Sequence, residues 1–158
     1  MARSPGKSAV VAQYLGRLEE ICDRGFALAI HIRYTRPTLL YQTYSQDWAD
    51  HYSVKGYMLS DPVVRWGLTH TGWAEWASLV DEDPDGVIAA AVSFGLTHGW
   101  TYATGQAGSR TIAGLPRSTA YLPGDFDELA RLVDAIHDAT EGFDLFTPAE
   151  QDALRKLT

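Results

Sequence analysis

Two strand–turn–strand runs, far apart in the chain and separated by helical segments, constrain this sequence more than any other feature. Ala27 to Tyr34, a turn at Thr35-Arg36-Pro37 and Leu39 to Tyr44 read as one hairpin. Trp100–Thr104, the loop Gly105-Gln106-Ala107-Gly108 and Arg110–Leu115 read as a second. Hairpins pair their strands antiparallel, which excludes an alternating parallel α/β architecture. The segments around them carry helical signals. Ser8 is placed to cap a first helix with Val11, Leu15, Leu18 and Cys22 on one face, ended by Gly25. Asp47 is expected to cap a short helix bearing Trp48 and Tyr52, stopped by Gly56. Asp61-Pro62 opens another, running to about His70. Residues 73–80 show no clear period. Asp83-Pro84-Asp85 leads into Val87–Phe94, with Gly95 as C-cap. Asp125 is expected to cap the clearest helix, whose stripe is Phe126, Leu129, Leu132, Val133, Ile136 and Phe143. Thr147-Pro148-Ala149-Glu150 is a capping box that starts a last helix. The reading is an α+β fold: a central antiparallel sheet flanked by helices, in one domain of 158 residues.

Charge and cysteine content narrow the function classes. The net charge is −7, and its distribution is uneven. Residues 1–60 hold seven Lys/Arg against five Asp/Glu, whereas residues 61–158 hold six against fifteen. No basic face is available to exchange for counterions, so the chain is not expected to bind DNA or RNA directly. Cys22 stands alone, which excludes an internal disulfide and cysteine-based metal clusters and fits a reducing, cytoplasmic setting. The longest apolar run, Val87 to Val92, is far short of the ~18 residues of a membrane span. No membrane association is expected.

Catalytic patterns do not emerge. The histidines (His31, His51, His70, His98, His137) lack metal-ligand spacing, and nothing fixes His51, Asp61 and His70 as a facial triad. Ser93 and Ser109 lack a nucleophile elbow. The Gly105–Gly108 loop lacks the ending of a phosphate loop and precedes a strand. The expectation is a non-enzyme with no catalytic residue, no metal and no cofactor.

The most unusual stretch holds Tyr44, Trp48, Tyr52, Asp61-Pro62 and Trp76, with Trp66 and Trp73 inside the same span. Aromatics at helical spacing usually build core, and Asp-Pro is an ordinary helix start that recurs at Asp83-Pro84. The same residues have a second use. Indole N–H and phenol O–H groups donate, and an ionised carboxylate only accepts. Converging on an apolar cavity, they would orient a small neutral ligand with both a carbonyl and an N–H.

These positions resemble the autoinducer-binding domain of LuxR-type quorum-sensing regulators, which bind N-acyl-homoserine lactones. The likeness is nearly gapless from Thr43 to Trp76 and weaker through Gly25-Phe26-Ala27 and Phe94–Thr101. The resemblance implies an α-β-α sandwich over residues 1–145. It implies that Trp48 donates to the lactone carbonyl, Asp61 accepts the ligand amide N–H, and Tyr44 donates to the acyl carbonyl. Tyr52, Val63, Trp73 and Trp76 would wall the pocket, and Thr101 would stand near the ligand on the sheet. Two positions depart from the family: Ala103 replaces a proline, and Gly114 falls where a ligand-binding hydroxyl is common.

Regulators of this type continue into a helix-turn-helix DNA-binding unit. Residues 146–158 read either as its truncated first helix or as a terminal helix. Two roles remain open on sequence: a ligand sensor of transcription regulation, acting as a homodimer or a heterodimer with a LuxR-type regulator, or a ligand-free interaction module whose pocket Trp66, Trp73 or Trp100 fills. An enzyme acting on a small lactone is a third class, without a nucleophile–base pair to support it.

Overall fold

The computed structural model describes residues 6–158. Its centre is a five-stranded antiparallel sheet built from β1 (Ala27–Arg33), β2 (Arg36–Gln42), β3 (Gly72–Glu75), β4 (Trp100–Thr104) and β5 (Arg110–Leu115). Their order is β2-β1-β5-β4-β3, so both hairpins are present and β1 joins them through β5. Helices α1 (Lys7–Ile21), α5 (Pro123–Ala139) and α6 (Pro148–Arg155) lie on one face. Helices α2 (Gln46–Val54), α3 (Pro62–Thr69) and α4 (Val87–Ser93) are grouped on the other. The fold is the expected α-β-α sandwich.

Alternation along the strands divides the two faces. Leu28, Ile30, Leu39, Tyr41, Ala113 and Leu115 point toward α1, α5 and α6 and are almost fully buried. They meet Val11, Leu15 and Leu18 of α1 and Leu129, Val133 and Ile136 of α5, the stripes read from the sequence. Helix α6 joins this core through Leu154, whose carbonyl accepts the Tyr41 hydroxyl at 2.8 Å.

Several boundaries differ from the sequence reading, each for a local reason. The first hairpin turns one residue earlier, at Tyr34 and Thr35, with Tyr34 at φ 59°. Pro37 then sits inside β2, tolerated because β2 is an edge strand. Helix α1 begins at Lys7 behind Gly6 rather than Ser8. Ser45, not Asp47, caps α2, its Oγ accepting the Trp48 backbone N–H at 3.3 Å. Helix α5 starts at Pro123, the favoured first helical position, and Asp125 accepts the Leu122 N–H from inside the first turn. Phe143 lies beyond α5, in a 3-10 turn. Asp83 binds the N–H groups of Val87 and Ile88 from four and five residues upstream of α4, at 2.8 and 2.9 Å. Residues 73–80, without a clear period in the sequence, fall within β3 and a 3-10 turn over Trp76–Glu82.

Candidate functional site

The face of the sheet opposite the main core does not close on its helices. Between it and α2–α4 lies a cavity of about 560 Å³. Its floor is Ala27 and Ala29 of β1 with Ile112 and Gly114 of β5, mostly small side chains on alternate residues. Helix α3 forms part of the roof through Val63, Val64 and Leu68, and α4 closes the side with Val87, Ile88 and Ala91.

One end is polar. Asp61 caps α3, so its carboxylate is held at the helix start. Oδ1 accepts the Val63 N–H at 2.9 Å and Oδ2 accepts the Tyr52 hydroxyl at 2.8 Å. Asp61 is only 8% exposed, and burial pushes its carboxyl above the usual carboxylate range, with the two hydrogen bonds opposing that shift. Each oxygen keeps a further lone pair for a donor. Trp48 is buried one helical turn before Tyr52, ring centroids 5.8 Å apart, and its back rests on Phe94 at 5.3 Å. No described residue accepts a hydrogen bond from its indole N–H. Trp76 lines the same end and is buried, and its indole nitrogen also has no partner. Its ring lies flat against the backbone at Gly99, where a Cβ would come within 2.1 Å of the indole. The Trp76 backbone N–H donates to the Gly99 carbonyl at 2.9 Å, which fixes that approach.

Tyr44 reaches the floor beside Gly114. Its hydroxyl donates to the Gly114 carbonyl at 3.2 Å, and burial pushes its pKa upward. A Cβ at residue 114 would stand 3.0 Å from that hydroxyl oxygen and 3.6 Å from the Trp76 ring. Gly114 thus gives up a side-chain hydroxyl and gives room to Tyr44.

Six of the eight residues named from the sequence line this cavity: Tyr44, Trp48, Tyr52, Asp61, Val63 and Trp76. Trp73 does not. It points through β3 to the opposite face, packed on Trp100, Tyr102 and Phe126 with centroids 4.9 to 6.5 Å away. The placement of Trp73 in the pocket wall is corrected by this one-residue alternation. Thr101 pairs with Gly114 on the cavity side, but it is fully buried and its hydroxyl is spent on the Ala113 carbonyl at 2.7 Å. It does not line the cavity. The tryptophans proposed to plug the pocket leave it open: Trp73 and Trp100 are on the far face, and Trp66 stacks on His70 at 5.1 Å. His51 contacts the Tyr57 hydroxyl at 3.3 Å, so His51, Asp61 and His70 do not converge. Gly99 and the Ala27–Ala29 floor were not singled out from the sequence. Alternating small residues in a strand were the available signal for the floor, and nothing local marks Gly99.

Known proteins place this geometry. The family model described as autoinducer binding domain matches residues 25–137, well over half of the chain. SdiA of Escherichia coli superposes with a TM-score of 0.69 at 20% identity, over 92% of this chain and 66% of SdiA. A structure of SdiA in complex with octanoyl-rac-glycerol gives 0.66 at 21%, over 87% of this chain and 63% of that one. The N-acylhomoserine lactone-dependent LuxR-family transcription factor CepR2 from Burkholderia cenocepacia gives 0.63 at 17%, over 90% and 87%. The chain therefore spans just under two thirds of these two SdiA chains. No curated protein matches at a significant level. Among the described residues, no helix is long and apolar enough to cross a membrane. With the sandwich, the one-sided cavity and the family match in agreement, the chain belongs to the autoinducer-binding domain family.

Proposed function

We propose that this chain is the signal-sensing unit of a quorum-sensing transcription regulator and binds an N-acyl-homoserine lactone. The observation that carries the reading is the polar end of the cavity: one buried carboxylate with lone pairs to spare, beside two indole N–H groups without acceptors. Such a set fits a headgroup with one N–H flanked by carbonyl oxygens. Asp61 accepts the amide N–H, Trp48 donates to the lactone carbonyl, Trp76 donates to the acyl carbonyl, and Tyr44 joins it there by turning its hydroxyl hydrogen from the Gly114 carbonyl, a 3.2 Å bond, to the ligand. The acyl chain fills the apolar remainder. The octanoyl-rac-glycerol held by SdiA is likewise a neutral acyl amphiphile with donors and acceptors at one end.

Ligand binding to the folded chain alone stabilises it by RT ln(1+[L]/Kd), about 4 kcal/mol at a thousandfold excess over Kd. A melt with and without added N-acyl-homoserine lactones, followed by mass spectrometry of the mixture, tests the reading. Sensing predicts a higher Tm with the lactone recovered intact. An unchanged Tm for every lactone overturns it and favours the interaction module; loss of the lactone favours an enzyme. On this reading the output is association with a second regulator chain, which sedimentation with and without ligand measures.

A further inference from the structure

We infer that the ligand's tail is a straight, unsubstituted hydrocarbon chain of about ten carbons, laid along the paired strands β1 and β5 from Gly114 to Ile32. This rests on the sensor reading above and goes beyond it by specifying the tail. The sheet itself supplies the ruler. Strand register sets three rows across the cavity floor. Gln42, Ala27 and Gly114 form the first; Leu40, Ala29 and Ile112 the second; Pro37, Ile32 and Arg110 the third. The polar end stands over the first row, because Tyr44 and Trp76 both lie against Gly114. The strand lining continues through the second row to the third, where Ile32 and Pro37 face the cavity and Arg110 does not; beyond it only Thr35 of the exposed turn borders the space. Between Gly114 and Arg110, β5 advances about 13 Å at 3.3–3.4 Å per residue. A zig-zag hydrocarbon with bonds of about 1.5 Å advances about 1.3 Å per carbon, so about ten carbons cover that distance.

The chemistry of the track is as restrictive as its length. The second row offers Leu40, Ala29 and Ile112, with Leu68 packed beside the last two and no polar side chain among them. The remaining polar lining residues, Gln42 in the first row and Thr35 and Arg65, are all exposed. The Arg65 guanidinium is turned to the Glu82 carbonyl at 2.7 Å. An oxygen in mid-tail would be stripped of water with no donor to meet it. The exposed border of the cavity is apolar too: Leu40, Met58 and Leu59 line it and are 55%, 48% and 91% exposed. Ala29, at the centre of the track, is the residue whose size sets how far a tail can run.

Titration of the purified chain with unsubstituted N-acyl-homoserine lactones of four to fourteen carbons tests this. Affinity is expected to rise about fourfold per methylene up to about ten carbons and then level off. A ten-carbon chain with a hydroxyl on its sixth carbon is expected to bind fivefold to 150-fold more weakly, roughly the range for an unpaired buried hydroxyl. Ala29→Leu is expected to move the break toward shorter chains; should that variant not fold, the wild-type series decides alone. A break at six carbons or fewer, or full tolerance of the hydroxyl, overturns the inference and leaves the sensor reading standing. Failure of every chain length to bind overturns both.

Discussion

Replacing Asp61 by Asn separates folding from recognition at one atom. The carboxylate makes two protein hydrogen bonds, from Val63 N–H at 2.9 Å and from the Tyr52 hydroxyl at 2.8 Å. Asn is as good an N-cap as Asp, so its carbonyl oxygen keeps the Val63 bond and α3 still starts at Pro62. The new NH2 faces Tyr52, whose hydroxyl turns from donor to acceptor. Folding therefore survives. It even gains, because Asp61 is buried and its carboxyl lies above the usual range through burial. A carboxyl raised on folding holds more protons in the folded chain than in the unfolded one. Stability consequently falls as pH rises through the interval from the unfolded value, about 4, to the folded one, and the loss persists above it. Ligand-free Asp61→Asn should melt at or above wild type near neutral pH, and the difference should shrink as the pH approaches 4. Recognition behaves oppositely. The ligand N–H would meet an NH2 group and lose a hydrogen bond to a charged acceptor, roughly 1.5–3 kcal/mol or tenfold to 150-fold in Kd. Calorimetric titration with a ten-carbon lactone beside ligand-free melts reads both effects. A Kd within threefold of wild type refutes the role of the carboxylate. A collapsed ligand-free melt refutes the reasoning about the cap.

Trp73→Ala should cost about 3 kcal/mol of stability through lost packing on Trp100, Tyr102 and Phe126, yet leave the ligand Kd unchanged; denaturant melts and titration separate the two. Gly99→Ala forces the Trp76 indole off a backbone where a Cβ would stand 2.1 Å away, and should weaken lactone binding about tenfold, read by titration and by tryptophan fluorescence. The His137 imidazole is pushed down by burial and then by His31, stacked on it at 4.2 Å. A base depressed on folding gives stability that is complete above pH about 6.5 and drains away as pH falls through the lower folded value. His137→Asn should flatten that acidic limb in melts taken across pH.

The sheet and its two hairpins were legible because their signal is local: period-two alternation bounded by turn residues. The stripes of α1 and α5 were equally plain, since Val11, Leu15 and Leu18 and Leu129, Val133 and Ile136 carry the main core. Helix starts were displaced by two or three residues, as at Leu122 and Ser45, where several cap-forming residues compete and only the three-dimensional entry angle decides. The site was legible where helix periodicity ties residues together, as with Trp48 and Tyr52, or where a cap holds one in place, as with Asp61. It was not legible where a face depends on an unrecognised strand. Nothing in residues 72–75 reveals a four-residue strand, so the side taken by Trp73 was open until β4 paired with it. Thr101 shows a different limit: its face was right, but its hydroxyl satisfies the Ala113 carbonyl and has no hydrogen left to donate to a ligand.

The two faces of one sheet carry different thermodynamic duties, and the division follows from side-chain size at alternate positions. On β1, Leu28 and Ile30 bury large side chains against α1 and α5, while Ala27 and Ala29 between them leave the other face thin. On β5, Ala113 and Leu115 face the core while Ile112 and Gly114 face the cavity. Each large aliphatic side chain fully buried on the closed face contributes roughly 1.5–3 kcal/mol, enough in sum to hold the strands in register. That register keeps Gly114, and hence Tyr44 and Trp76, fixed relative to Ile32, so the distance from the polar end to the end of the track is a property of backbone pairing. A ligand can then be measured against a rigid floor even though its roof is three short helices. Filling the cavity side with larger residues, as with leucines at Ala27 and Ala29, should raise the Tm of the ligand-free chain where they pack without strain and abolish the ligand-induced shift. Cooperative unfolding would persist, because the larger core cluster lies on the other side.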